Sequence, residues 1–182
     1  MIEKIERDPA TKQRFLINYY EDAKDHEHGK HYKGQWRFIN NKMVKDGVGV
    51  MCWPDGSKYV GHFANDKMCG SGRMTQQTGD NYTGEWKDNM ANGHGVFVDA
   101  KGCTYDGDWV DDLQHGYGRE TWNEGKITFS GEYVRGKKNG KGRYEWEDGS
   151  YYQGDFVDSM FEGYGKLDNI TNIYRCLLLR RV

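Results

Sequence analysis

Two patterns of apolar and polar positions run along the chain. In the first, two aromatic residues flank a glycine at alternate positions: Tyr32-Lys33-Gly34-Gln35-Trp36, Tyr59-Val60-Gly61-His62-Phe63, Tyr82-Thr83-Gly84-Glu85-Trp86, Tyr105-Asp106-Gly107-Asp108-Trp109, Phe129-Ser130-Gly131-Glu132-Tyr133 and Tyr152-Gln153-Gly154-Asp155-Phe156. Alternate side chains of a strand share a face, so each segment predicts a short strand with two rings and a bare glycine on one side. Glycine between two rings leaves room for an aromatic side chain to lie over the backbone. In the second pattern each segment is followed by Gly-x-Gly, with leading glycines Gly47, Gly70, Gly93, Gly116, Gly140 and Gly163. These advance by 23, 23, 23, 24 and 23 residues. Two motifs sharing one period make the chain a repeat array.

The stretches between the motifs complete the unit. Asn65-Asp66-Lys67, Lys87-Asp88-Asn89 and Asp111-Asp112 are hairpin loops by composition. Gly56, Gly79, Gly102, Gly125 and Gly149 precede the next aromatic, two of them within Asp55-Gly56 and Asp148-Gly149, a turn signal. Each unit is thus strand, turn, strand, turn. The predicted fold is all-β: one elongated, twisted antiparallel array of six hairpin repeats over residues 29–167. Segments 1–28 and 168–182 flank it. Asp8 as N-cap, Pro9 at the first helical position and the spacing of Phe15, Leu16, Tyr19, Tyr20 and Ala23 predict a helix over Pro9–Lys24 that caps the sheet or binds a partner. Residues 170–182, apolar with Arg175, Arg180 and Arg181, read as a covering element or an anchor to a partner.

These residues resemble the MORN (membrane occupation and recognition nexus) family, whose units read Y-x-G-x-W followed by G-x-G. The resemblance covers about Gly29 to Leu167. The first unit departs by four extra residues between Trp36 and Gly47, read as a longer loop that includes Asn40, Asn41 and Lys42. The fifth departs by Phe129 and Tyr133 in the aromatic places. The resemblance implies a MORN-only protein of cytoplasmic, cytoskeletal placement, with cilia, the axoneme and radial-spoke heads as the family setting.

Composition agrees with a folded chain whose core is thin and aromatic. Of 182 residues 25 are Gly, 13 Tyr and 6 Trp, and aromatics make up 14%, whereas disordered chains are poor in aromatics. A net charge of −2 gives no global field for nucleic acid. The longest apolar run, Cys176-Leu177-Leu178-Leu179, is far shorter than a membrane span, and Met1–Arg14 lacks the apolar core of a secretory signal. Cys52, Cys69, Cys103 and Cys176 form no framework and read as free thiols.

Catalytic chemistry finds no foothold. No Gly-x-Gly pair is followed by the Lys-Ser/Thr of a phosphate loop or by the third glycine of a dinucleotide fingerprint. His26, His28 and His31 have the spacing of a metal cluster but sit in a solvated linker, and His94 and His115 have no Ser or Cys nucleophile placed to use them. The expectation is a non-catalytic scaffold without cofactor or metal. Its docking anchors would be an aromatic row of Tyr59, Tyr82, Trp86, Tyr105, Trp109 and Tyr152, which suits a partner helix or peptide. A homodimer is compatible with this reading. The alternative is a peripheral membrane adaptor that binds anionic phospholipid through Arg135, Lys137, Lys138, Lys141 and Arg143 of the fifth unit, a run without an acid. The same run is otherwise a solvated turn that offsets Asp106, Asp108, Asp111 and Asp112 of the fourth.

Overall fold

Alternation with period two and regularly placed turn residues leave the chain little choice but hairpins, and hairpins are what form. The computed structural model describes residues 29–40 and 42–168, together with the backbone of three short strands nearer the N-terminus. The chain divides into two units, Met1–Met90 and Ala91–Val182. In the first, β1 (Lys4–Arg7), β2 (Arg14–Ile17) and β3 (Ala23–Lys24) precede β4 (His31–Ile39), β5 (Lys42–Cys52), β6 (Lys58–Ala64), β7 (Lys67–Thr75) and β8 (Asn81–Lys87). The second carries β9 (Met90–Val98), β10 (Thr104–Val110), β11 (Leu113–Trp122), β12 (Ile127–Val134), β13 (Lys137–Glu145), β14 (Tyr151–Val157) and β15 (Met160–Asp168). Within each unit, from β4 to β8 and from β9 to β15, every strand pairs antiparallel with the next. The fold is all-β, and the described residues contain no helix.

The helix expected over Pro9–Lys24 lies largely outside the described residues. The described parts of that segment, β2 and β3, are strands, and both pair with β4. An open hairpin edge presents unpaired backbone donors and acceptors, which a returning strand satisfies. The longer loop expected in the first unit is also corrected. The extra residues lengthen the strands through the pairs Arg37↔Val44, Phe38↔Met43 and Ile39↔Lys42, and the turn stays tight at Asn40. Extending a ladder satisfies backbone groups that a loop would leave to water. Cys176 and the rest of the segment after Asp168 lie outside the described residues. Cys52, Cys69 and Cys103 are free thiols.

Two turn types alternate. Inside a repeat, both central residues have positive φ: Asn65 (48°) and Asp66 (68°), Asp88 (50°) and Asn89 (72°), Asp111 (48°) and Asp112 (65°). This is the two-residue turn whose twist suits a hairpin, and Asn and Asp tolerate it best among non-glycine residues. Between repeats, a glycine of positive φ closes the loop, as where Gly56 N–H donates to Trp53 O at 3.0 Å and Trp53 N–H to Ser57 O at 2.9 Å.

The two glycines of Gly-x-Gly do different work. The first has positive φ in every repeat, from Gly47 (102°) to Gly163 (63°), and sits across from a register shift such as those at Gly61/His62 and Gly107/Asp108. A bulge of this kind bends and twists the strand pair. The second glycine pairs with the glycine between the two rings, as in Gly61↔Gly72, Gly107↔Gly118 and Gly131↔Gly142. A row of glycines therefore runs through β4–β8 and another through β9–β15, one per strand. The first aromatic of each repeat lies flat on that row. A Cβ built on Gly118 would stand 2.5 Å from the Tyr105 ring.

Each tyrosine of this row also closes its own strand. Tyr32, Tyr59, Tyr82, Tyr105 and Tyr152 donate from the hydroxyl to the carbonyl three residues on, at 2.9–3.1 Å. Rings then meet edge to face in a zigzag. In the first unit it runs Trp36, Tyr32, Phe63, Tyr59, Trp86, Tyr82, with centroids 4.9–5.2 Å apart. In the second it runs Trp109, Tyr105, Tyr133, Phe129, Phe156, Tyr152, at 4.9–5.4 Å. Such pairs contribute about 0.5–1.5 kcal/mol each beyond the area they bury.

Candidate binding surface

The rings expected to form a docking row are the core. Tyr59, Tyr82, Trp86, Tyr105 and Tyr152 are buried, Tyr59 completely, and Trp109 is half-buried against the cluster that holds Tyr105 and Tyr152. Burial pushes the hydroxyls of Tyr32, Tyr59 and Tyr105 far above the ordinary phenol range. Their physical reason for being apolar and aromatic is the glycine row beneath them, not a partner. Trp86 and Trp109 also use their indole N–H groups internally, donating to Gly72 O at 3.1 Å and Gly95 O at 3.0 Å.

The basic run of the fifth repeat is also largely engaged. Lys137 pairs with Asp158 at 3.1 Å, Lys141 with Asp155 at 2.5 Å, and Arg143 with Glu145 at 3.3 Å while its guanidinium stacks 3.6 Å from the centre of the Tyr151 ring. Lys138 turns inward. Its ammonium meets the Glu120 carboxylate at 2.5 Å and lies 4.9 Å from the ring centres of Trp122 and Phe129, with both charged side chains only 15–16% exposed. Burial, followed by the nearby Glu120 charge, pushes the Tyr133 hydroxyl up. Arg135 occupies the first position of the fifth tight turn (φ 50°). A linear run free of acids becomes a set of ion pairs, because neighbouring repeats supply Asp155, Asp158 and Glu120 and the run's own strand supplies Glu145.

The residues between the motif positions face the other side of each sheet. On this open face side chains reach solvent. In the second unit a shallow trough crosses β11 to β15, with Gly142, Gly154 and Gly165 along its floor. Tyr117 and Tyr164, 63% and 75% exposed, stand toward its two ends. Ser130, Lys141, Arg143, Gln153 and Lys166 line it between them. Four strand spacings separate β11 from β15, about 19 Å. Lys166 is held at the rim by Asp168 (2.6 Å) and the Tyr151 hydroxyl (3.0 Å), and those partners push its ammonium pKa up. On the open face of the first unit, Val48 and Val60 are exposed instead.

Six stretches, 44–58, 59–81, 82–104, 105–127, 129–151 and 152–168, match the family model described as MORN repeat. The chain belongs to the MORN-repeat family. The matched stretches begin at the first aromatic of each repeat from Tyr59 onward, so the family's unit is the hairpin plus the loop that follows it. MORN repeats are binding modules for proteins and membranes, and this array is built from them almost throughout. A comparison with curated protein sequences found no match.

The expected row is buried, and nothing in the recurring motif singles out the exposed rings of the other face, Tyr117 and Tyr164. Tyr117 and Tyr164 are the central residues of Gly116-Tyr117-Gly118 and Gly163-Tyr164-Gly165. The other four repeats place Val48, Ser71, His94 and Lys141 there, and a large ring at a position that alternation sends away from the core was the available signal. Among the described residues no group of three His, Cys, Asp or Glu is placed to hold a metal ion. His26 and His28 lie outside them.

Proposed function

We propose that the chain is a non-catalytic protein-binding scaffold, and that a segment of another protein lies in the open-face trough of the second unit. The observation that carries this reading is the pair of solvent-exposed tyrosines, Tyr117 and Tyr164, on a glycine floor beside Arg143 and Lys141. Tyrosine and arginine dominate the energetics of protein interfaces. The floor at Gly142, Gly154 and Gly165 is bare backbone on this side, since the side-chain direction there points to the rings, so a backbone or a helix can approach closely. The span of about 19 Å accommodates roughly six extended residues or about thirteen helical ones. A cytoskeletal or ciliary assembly is the proposed setting, on the strength of the family alone.

The test uses the full chain and a Tyr117→Ala/Tyr164→Ala variant as baits in parallel captures from native cells. A protein partner retained by the parent and lost by the variant, with the variant's melting temperature unchanged, supports the reading. Equal capture by both baits overturns it. Flotation with phosphatidylserine vesicles examines the alternative. Salt-sensitive lipid binding that survives the tyrosine changes and is lost on Arg135→Glu/Lys137→Glu would place function in the fifth turn instead.

A further inference from the structure

Besides its two tyrosines, the open face of the second unit carries a charge pattern that the first unit lacks. Cross-strand register sets one row of side chains over β10 to β15: Asp106, Arg119, Ser130, Arg143, Gln153 and Lys166, each facing the next. From β11 onward the row is basic on every second strand, with a neutral polar residue between, and holds no acid. In the first unit the same row reads Lys33, Val50, Val60, Arg73 and Thr83. Two valines interrupt it there.

The cations of the second unit reach water. Arg119 is exposed, and the side chains of Arg143 and Lys166 are 41% and 65% exposed. Two of them are steadied by an acid two residues on in their own strand, Arg143 by Glu145 at 3.3 Å and Lys166 by Asp168 at 2.6 Å. Arg119 has Thr121 in that position. Arginine carries five N–H donors and lysine three, so one carboxylate saturates neither. A second row runs beside the first. Glu132 and Asp155, each two residues beyond a neutral member of the basic row, stand on the strands between the cations, with Lys141 held between them. Glu132 accepts from Lys141 N–H at 3.5 Å, and Asp155 pairs with the Lys141 ammonium at 2.5 Å.

The spacing selects an occupant. Strands lie about 4.8 Å apart, so Arg119, Arg143 and Lys166 repeat at about 9.6 Å. One face of an extended segment repeats at about 6.7 and 13 Å, which misses this interval. Seven residues of helix advance about 10.5 Å and return to the same face. A helical side chain three residues on lies about 4.5 Å further along and to one side, which matches the one-strand offset of Glu132 and Asp155. We propose that the segment docked in the trough is a helix with carboxylates seven residues apart over Arg119, Arg143 and Lys166, and basic residues three positions after them over the acidic row. The inference rests on the docking reading above and names the chemistry of its occupant. A uniformly anionic surface would press on Glu132 and Asp155 as well as on the cations, whereas a striped helix meets each row with the opposite sign.

The test measures binding of a fluorescent helical peptide of about 20 residues to the full chain by anisotropy. The peptide is alanine and glutamine with Glu at every seventh position and Lys three residues after each Glu. The parent should bind it at least tenfold more tightly than a peptide of the same composition in scrambled order, and the preference should shrink as salt rises. Arg119→Glu/Lys166→Glu, with its melting temperature unchanged, should bind it at least tenfold more weakly. That variant should in turn prefer a peptide with the two signs exchanged. Arg119→Gln/Lys166→Gln replaces it if the reversal disturbs the fold, and should show the same loss. Equal affinity for ordered and scrambled peptides overturns the proposal. So does tighter binding of a polyproline-type peptide with Glu at every third position, whose acids repeat at about 9.3 Å. Flotation with phosphatidylserine vesicles that is lost on charge reversal, while the peptide stays unbound, assigns the row to a membrane instead. Parallel captures keep the two readings apart. A protein lost by Tyr117→Ala/Tyr164→Ala but retained by Arg119→Glu/Lys166→Glu removes the acidic helix and leaves the docking site, and one retained by both variants removes both.

Discussion

One pair of equivalent core positions, Met51 with Met68 in the first unit and Glu120 with Lys138 in the second, is filled with opposite chemistry, although the first unit also sets a lysine, Lys45, against Trp36 and the second also sets apolar Phe97 and Tyr144 against its rings. Next to the rings of the first unit lie Met51 and Met68, both buried, and Met74. In the second unit the place of Met74 is taken by Glu120, which faces Phe129, and the place of Met68 by Lys138, which faces Tyr133. Gln114 adds a bond from its side-chain amide to Glu120 at 3.2 Å. Methionine adapts its shape to gaps between rings. A lysine and a glutamate can stand in only as a pair, because either one alone would be a charge held away from water. The difference teaches that the glycine row and the rings fix the fold, while the flanking layer is negotiable provided its charges cancel.

Breaking the pair should have the largest effect. Glu120→Ala leaves Lys138 among Trp122, Phe129 and Tyr133, and should cost about 3 kcal/mol in denaturant unfolding, at the low end for a buried pair because both groups keep some solvent contact. Glu120→Met with Lys138→Met, which recreates the first unit, should be neutral or stabilising. A double variant as unstable as Glu120→Ala would show that the charges do more than balance each other. A smaller loss, about 1–3 kcal/mol, is expected where the units are alike. Gly118→Val drives its branched side chain into the Tyr105 ring, and Gly72→Val does the same to Tyr59. The two melting shifts should match. A silent Gly118→Val would mean that rings do not press on the glycine row.

Much of this layout was legible before any coordinates. The alternation of Tyr59, Gly61 and Phe63, the hairpin turns at Asn65-Asp66 and Asp88-Asn89, and the loop glycines at Gly56 and Gly149 all reside in local sequence and are set by local backbone energetics. What was not legible depends on register across strands. Lys138 reads as one base in a run of bases until β11 brings Glu120 alongside it. Tyr82 reads as a surface anchor until the glycines of two strands are seen to make a shelf for its row. The first glycine of each Gly-x-Gly pair looked equivalent to the second, although one supplies a positive φ at a bulge and the other an absent side chain. The candidate site was missed because Tyr117 and Tyr164 vary between repeats while the eye follows what recurs.

Alkaline pH tests whether the rings of both units are held alike. The hydroxyls of Tyr32, Tyr59, Tyr105 and Tyr133 have folded pKa values raised by burial above the unfolded value of about 10. A raised folded value means that the neutral form is favoured by folding. The stability this gives is full below about pH 10 and is lost as pH climbs toward the folded values. Tyrosinate absorbance from the buried set should therefore appear only together with loss of β-structure. In the Glu120→Met/Lys138→Met protein that loss should begin no later than in the parent. Smooth titration of all tyrosines without unfolding would contradict the burial of the zigzag.

The smallest effect concerns the tips of the hairpins. There the second turn residue joins its repeat to the one before. Asp66 N–H donates to Lys45 O at 3.0 Å while its carboxylate accepts from Lys45 N–H at 2.8 Å, and Asn89 does the same to Met68. In the second unit Asp112 and Ser159 repeat the device on Ala91 and Lys138. The fifth turn has Gly136, which keeps the backbone bond to Gln114 O at 2.8 Å but has no side chain to accept from Gln114 N–H. Its φ of 79° is close to the 72° of Asn89, and an added Cβ meets nothing nearer than Leu113 at 3.9 Å. Gly136→Asn should therefore restore the missing bond and add about 0.5–1 kcal/mol, a rise of about 2 °C in melting temperature for a chain of this size. Gly136→Ala separates the bond from the backbone effect, since alanine pays for the left-handed conformation, about 1 kcal/mol, and accepts nothing. Asparagine must outperform alanine by the sum of the two. Equal melting temperatures would mean that the side-chain half of the stitch contributes nothing, in this turn and by extension at Asp66 and Asp112.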